Sequence, residues 1–100
     1  MTDDRTALDE LYQVSVPGRV YTVLHYLYFP TQKAAADIAS LLRREGFKTE
    51  GRLSADGTDW LLLVRHKVVP TEEIMLAARQ MMEGLAAKKD GQYDGWEIEV

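Results

Sequence analysis

Cysteine is absent from the 100 residues of this chain, and long apolar runs are absent as well. Without cysteine there are no disulfide bonds, thiolate nucleophiles or thiolate metal sites. No apolar run approaches the roughly 20 residues that a membrane-spanning helix needs. The first five residues are polar and acidic, without the basic-then-apolar order of a signal peptide. These absences predict a small cytoplasmic protein that has no contact with a membrane.

An excess of positive charge is also missing, since the formal net charge is -4 and the pI is near 5.1. This charge balance argues against binding to nucleic acid that is dominated by nonspecific electrostatic attraction. The length fits one domain and leaves no room for a separate catalytic lobe. We expect a polar leader over residues 1–18 and a single domain over residues 19–100. The leader carries one short amphipathic patch at helical spacing, Leu8, Leu11 and Tyr12.

Two similar segments, Phe29-Pro30-Thr31 and Val69-Pro70-Thr71, organise the rest of the chain. Each proline ends an apolar run, because it lacks a backbone N–H and disfavours helical dihedrals in the preceding residue. Each threonine can accept a hydrogen bond from a free N–H in the first turn of a helix. The sequence therefore predicts two strand–Pro–Thr–helix units in tandem.

The order of elements is predicted to be β-α-β-β-α-β. Strands are expected over residues 19–29, 47–53, 59–69 and 96–100, and the helices begin at Thr31 and Thr71. The apolar stripes of the helices are Ala35, Ile38, Ala39 and Leu42, and then Ile74, Ala78, Met81, Met82 and Leu85. This order is typical of the ferredoxin-like sandwich, an α+β fold. We expect a mainly antiparallel sheet of order 4-1-3-2 with one central parallel pair, and both helices on one face.

The repeat also suggests which side chains leave the helices free. If the two units are equivalent, residues at equal distances before each proline point to the same side of the sheet. One such set contains three basic or titratable side chains, which are costly to bury. We therefore predict that this set forms the open, partner-binding face: Tyr21, Val23, His25, Leu27, Leu61, Leu63, Arg65 and Lys67. The residues between them, among them Leu24, Tyr26, Tyr28, Leu62 and Val64, are predicted to face the helices. An exposed apolar face usually marks a contact site, and the candidates to cover it are the leader, a second copy in a homodimer, or another protein.

Catalytic and metal-binding patterns are missing from the sequence. His25 and His66 are predicted on opposite faces of the sheet, and neither has the partner of a helical zinc motif. We interpret one as a surface histidine and the other as a hydrogen-bonded core histidine. No nucleophile elbow or phosphate-binding glycine loop occurs. We therefore predict that the protein is not an enzyme and needs no cofactor or metal.

Two alternatives to protein binding remain open. RNA-recognition domains share this element order and stack bases on aromatic side chains of the two central strands. Here the third strand, from Trp60 to Lys67, lacks their basic–Gly–aromatic signature, so direct binding of nucleic acid is not the favoured interpretation. The other alternative is a dimeric ferredoxin-like module that binds an unknown ligand.

A resemblance to a known family favours protein binding over these alternatives. Gly91-Gln92-Tyr93-Asp94-Gly95-Trp96 after a helix, with Tyr28-Phe29-Pro30-Thr31 before another, resembles the RraB family, the regulators of ribonuclease E activity. The likeness runs from about Val20 to Val100. Asp94-Gly95 can form a bulge, and Tyr93 and Trp96 can anchor the last strand. We interpret these residues as structural, like the two Pro-Thr pairs.

The resemblance implies a function as well as a fold. Proteins of this family are expected to have no catalysis of their own. They bind ribonuclease E through its noncatalytic scaffold region and modulate RNA cleavage and the make-up of the RNA-degrading complex. The sequence thus predicts a protein-binding regulator of RNA degradation.

Overall fold

The structure, a computed structural model, describes residues 18–99. It contains four strands and two helices in the predicted β-α-β-β-α-β order. In chain order these are β1 (Tyr21–Phe29), α1 (Gln32–Arg44), β2 (Lys48–Leu53), β3 (Trp60–Val68), α2 (Glu72–Lys88) and β4 (Gln92–Ile98). The predicted amphipathic leader patch, Leu8, Leu11 and Tyr12, lies outside the described residues.

The four strands form one sheet of order β2-β3-β1-β4, which is the predicted order. Every neighbouring pair is antiparallel, so the expected central parallel pair was wrong. The connection through α1 leaves β2 parallel to β1, and the β2–β3 hairpin then reverses the direction of the chain, so β3 lies antiparallel to β1. Their register runs from Tyr21 opposite Val68 to Phe29 opposite Trp60.

Both helices begin as the sequence predicts. The Thr31 hydroxyl accepts from the Ala34 N–H at 3.1 Å, and the Thr71 hydroxyl accepts from the Ile74 N–H at 3.2 Å. Each bond satisfies one of the N–H groups that the first helical turn leaves free. Gly46 follows the C-cap residue of α1, Glu45, and its φ of 92° is in the left-handed region that glycine tolerates.

The core lies between the helices and one face of the sheet. The larger buried cluster joins strand residues to the inner stripe of α1 and to Met82 and Ala86 of α2. A smaller cluster contains Val23, Met75 and Trp96. Helix α1 buries the four positions that its period predicts. In α2 the prediction was wrong at Ile74, which is 38% exposed. Met75 is buried in its place, because it stands at helical spacing before the buried Ala78 and Met82.

The last strand is longer than predicted and begins at Gln92. Opposite β1, Tyr93 pairs with Leu27 and Trp96 with His25, so β4 has one extra residue in this interval. Gly95, with a φ of 95°, supplies the bend of this bulge. Gly91 allows the strand to start, because a Cβ there would lie 2.6 Å from the Tyr28 carbonyl oxygen. The buried Tyr93 and Trp96 have the anchoring positions that the sequence predicts.

Candidate functional site

The two faces of the sheet are distinguished by what packs on them. Side chains of β3 at even numbers, Leu62 and Val64, join the core with both helices, as the sequence predicts. On β1 the prediction was wrong, because Leu27 and Phe29 belong to the same cluster and Val23 to the smaller one. Alternation along the strand places four predicted open-face residues on the helix side instead: Tyr21, Val23, His25 and Leu27.

The register explains this correction. Residues of β1 and β3 that face each other across the pair have numbers of opposite parity, such as Leu27 and Leu62. Directly opposite residues in an antiparallel pair point to the same side of the sheet. Residues at equal distances before the two prolines therefore point to opposite sides. Only the β3 half of the predicted face is on the side away from the helices: Leu61, Leu63, Arg65 and Lys67.

His25 and His66, predicted on opposite faces, lie together on the helix side. Their ring centroids are 5.8 Å apart, and the ring of Phe47 lies 4.8 Å from that of His66. A hydrogen bond of 2.8 Å joins His25 Nδ1 and the hydroxyl of Tyr93. Within residues 18–99, His25 Nε2 and His66 Nδ1 are buried and have no hydrogen-bond partner.

Burial keeps these imidazoles neutral. Removal from water, helped by the nearby His66, lowers the pKa of His25 from 6.5 to about 3. Burial also lowers the pKa of His66. Neutral imidazoles at ordinary pH need no counter-ion in the core, so charge was the wrong criterion for assigning the face of His25.

We define the open face as the side chains of β1 and β3 on the side of the sheet away from the helices. On β1 these include Leu24, Tyr26 and Tyr28, which sequence reasoning assigned to the core. Leu24, Leu61 and Leu63 are only 9%, 8% and 5% exposed. The accessible groups are therefore the half-buried tyrosines, the half-buried Arg65 and the exposed Lys67.

Ionic contacts frame this face. The guanidinium of Arg65 lies 3.5 Å from a carboxylate oxygen of Glu50 and 3.2 Å from one of Glu99. The hydrogen bond that Arg65 donates to Glu99 is the main reason that the pKa of Arg65 is raised. The Tyr26 hydroxyl donates to Glu97, and this bond raises the pKa of the phenol to about 12. Arg65 and Tyr26 are thus fixed to carboxylates, while Tyr28 and Lys67 remain the projecting groups.

A cavity of about 520 Å³ lies at the His66 end of the sheet. Lys48, Arg65 and Lys67 contribute positive charge to its lining, and Glu45 and Glu99 contribute negative charge. This cavity could not be predicted from the sequence, because the α1–β2 connection forms it only by folding beside the ends of β1 and β3. Its mixed charge does not select a ligand of one sign.

Residues 18–99 contain no group of three or more His, Cys, Asp or Glu side chains arranged to hold a metal ion. Neither of the two helices in that range is long and apolar enough to cross a membrane.

Comparison with known families assigns this chain. The family model described as regulator of ribonuclease activity B, RraB, matches residues 2–98. The chain belongs to the RraB family. The match covers both Pro-Thr segments and the Tyr93–Trp96 segment that suggested the resemblance. A search of curated proteins finds no match for this RraB-family chain.

Proposed function

We propose that this protein is a noncatalytic cytoplasmic regulator that binds a ribonuclease, ribonuclease E being the first candidate, through the open face. The RraB family match over residues 2–98 is the observation that carries the proposal. A regulator of a nuclease needs a surface for that nuclease, and the sheet offers one on the side away from the helices. Its accessible groups, Tyr26, Tyr28, Arg65 and Lys67, contact the nuclease, and the buried Leu61 and Leu63 support them from below.

The decisive experiment measures binding and inhibition with purified components. The full chain is added to purified ribonuclease E, and cleavage of a defined RNA is followed together with direct binding by calorimetry. The chain alone is expected to leave the RNA intact and to slow or redirect cleavage by the nuclease. Cleavage of RNA by the chain itself, or no binding to the nuclease, would contradict the proposal.

Variants of projecting residues test the surface. Leu63→Glu is unsuitable, because a charge placed at this buried position costs folding energy. Tyr28→Ala and Lys67→Glu alter accessible groups, and together they should weaken nuclease binding at least about tenfold if the open face forms the centre of the interface. Lys88→Glu on α2 makes the same charge change on the helix side and should bind normally.

An RNA-binding function has one observation in its favour. Tyr26 and Tyr28 project from a central strand, as base-stacking aromatic residues do in RNA-recognition domains. The carboxylates of Glu50, Glu97 and Glu99 stand beside them, however, and would repel phosphates. Pull-down of ribonuclease E with and without prior RNA digestion separates the two: loss of recovery after digestion favours RNA, and unchanged recovery favours direct protein binding.

A further inference from the structure

The outer edge of β2 has free backbone groups. β2 is the first strand in the sheet order, and no strand within residues 18–99 pairs with its outer side. The Ser54 N–H donates to the Asp59 carbonyl at 2.8 Å, which makes this a hydrogen-bonded pair. Because such pairs alternate in an antiparallel ladder, the N–H and C=O groups of Thr49, Gly51 and Leu53 point outward.

A groove of about 180 Å³ runs between α1 and this edge. Its floor and walls are mainly small or apolar side chains: Ala35, Ala36, Ala39, Trp60 and Leu62. Thr49 and Gly51 complete it on the strand side. A Cβ placed on Gly51 would meet no atom within 4 Å, so the groove is open above this glycine. The free backbone and the apolar groove are therefore adjacent.

The charges at this edge are predominantly positive. Arg43 lines the groove and donates to the Thr49 hydroxyl at 3.0 Å. Lys48 and Arg52 are exposed on β2, on the side of the strand opposite to the groove. Glu50 lies between them and forms an ion pair with Arg65. Neither Lys48 nor Arg52 forms an ion pair with another residue of the 18–99 range, so an acidic partner segment would meet two cations at alternate positions of the strand.

We propose that the β2 edge and the adjoining groove bind an extended acidic segment of a protein partner by strand addition. The segment pairs antiparallel to β2 and places one aliphatic side chain over Gly51, in the groove against Trp60. Main-chain hydrogen bonds supply the attachment, and the pocketed side chain supplies the selectivity. This site goes beyond the proposed function, because it is separate from the open face and is tested independently of it.

The test uses the full chain and a synthetic peptide, acetyl-Glu-Val-Glu-Leu-Ser-Val-Glu-amide. With its leucine opposite Gly51 in antiparallel register, two of its three glutamates face Arg52 and Lys48, and its serine faces Glu50. Titration followed by amide NMR should give saturable shifts and slowed exchange at Thr49, Gly51 and Leu53. Shifts confined to other strands would overturn the proposal.

Variants of the groove make the test specific. Gly51→Val fills the groove, and it should not unfold the strand, since its Cβ has free space and valine favours strands. It should raise the Kd for the peptide at least about tenfold, because the leucine loses its burial site. Leu53→Val, on the same strand but outside the groove lining, should bind normally. Equal binding by wild type and Gly51→Val would overturn the proposal.

Two further measurements exclude other occupants. A peptide with serine in place of the leucine should bind at least about tenfold more weakly, and equal binding would contradict a role for the groove. Sedimentation of the free chain should show a monomer. A dimer that Gly51→Val dissociates would assign this edge to a second copy of the chain and overturn the proposal. Nuclease binding by Gly51→Val then tells whether the open face functions without this edge.

Discussion

The two strand–Pro–Thr–helix junctions are alike at the helix and different at the strand. Thr31 and Thr71 cap their helices with the same contact, to the N–H three residues later. β1 runs directly to Phe29 beside its proline, whereas β3 stops at Val68 and leaves Val69 outside the strand. In the second junction the Thr71 N–H donates to the Val69 carbonyl at 2.8 Å. This bond closes a tight turn around the buried Pro70, whereas Pro30 is exposed.

This difference shows that a repeated helix start does not imply a repeated strand register. β3 is separated from its helix by one residue more than β1 is. A residue of β3 therefore points to the opposite side of the sheet from the β1 residue at the same distance before its proline. The helices are equivalent because capping is local, within three residues of the threonine. The strands are not equivalent, because their faces depend on how β1 and β3 pair with each other. The β3 residues of the predicted face therefore lie on the side away from the helices, the β1 residues lie on the helix side, and partner binding by this face stays a prediction.

The largest expected difference in stability is between alanine variants of Leu27 and Lys67, which stand at the same distance before their prolines. Leu27→Ala should reduce the free energy of unfolding by about 2–5 kcal/mol, because Leu27 is fully buried in the larger cluster. Lys67→Ala, at the exposed equivalent position, should change it by less than about 0.5 kcal/mol. Urea unfolding followed by circular dichroism measures both. Similar losses of stability in the two variants would contradict the conclusion that these two positions point to opposite sides of the sheet.

Acid should destabilise the protein through the histidine pair that the register brings together. The pKa of His25 is lowered to about 3 in the folded state and is near 6.5 in the unfolded chain. Between these values the unfolded chain binds more protons than the folded one. The contribution of His25 to the free energy of unfolding is therefore fully present above pH 6.5. It decreases as the pH falls towards 3, by up to about 1.4 kcal/mol per pH unit.

The variant His25→Gln tests the origin of this slope. Glutamine does not titrate and can still hydrogen-bond Tyr93, so the fall in stability below pH 6.5 should become shallower. Urea unfolding at a series of pH values gives the slope for each protein. An unchanged slope would place His25 in contact with water and contradict its position on the helix side.

The smallest effects should come from the caps, where the junctions are alike. Thr31→Ala and Thr71→Ala should each reduce the free energy of unfolding by about 1 kcal/mol, because each removes one hydrogen bond to the first helical turn. Thermal and urea unfolding measure both losses. Serine at either position keeps the acceptor and should restore most of the stability. A large difference between the two alanine variants would show that the helix starts are not equivalent.

Local chemistry made much of this fold predictable from the sequence. The threonine caps, the left-handed Gly46 and the bulge at Asp94-Gly95 depend on residues close in the chain. The strand order follows from the element order and the rules of connection. The buried stripe of α1 follows from its 3.6-residue period.

The candidate site was less predictable because it depends on pairing between distant residues. Which side Tyr26 and Tyr28 occupy is decided by their opposition to Leu63 and Leu61. The neutral state of His25 results from burial in the folded chain, so the sequence alone made it resemble a surface charge. The groove over Gly51 exists because α1 lies beside an edge strand that has no side chain there.

The order of strands in the sheet also has a consequence for synthesis of the chain on the ribosome. β1 is made early but is interior to the sheet only because β4, formed by residues 92–98, pairs with one of its edges. Until those residues have left the exit tunnel, β1 has an unpaired edge and an incomplete apolar neighbourhood around Val23. An unpaired edge is a template for wrong pairing. Nascent chains halted before Gly91 should therefore be the form of this protein that depends most on chaperones.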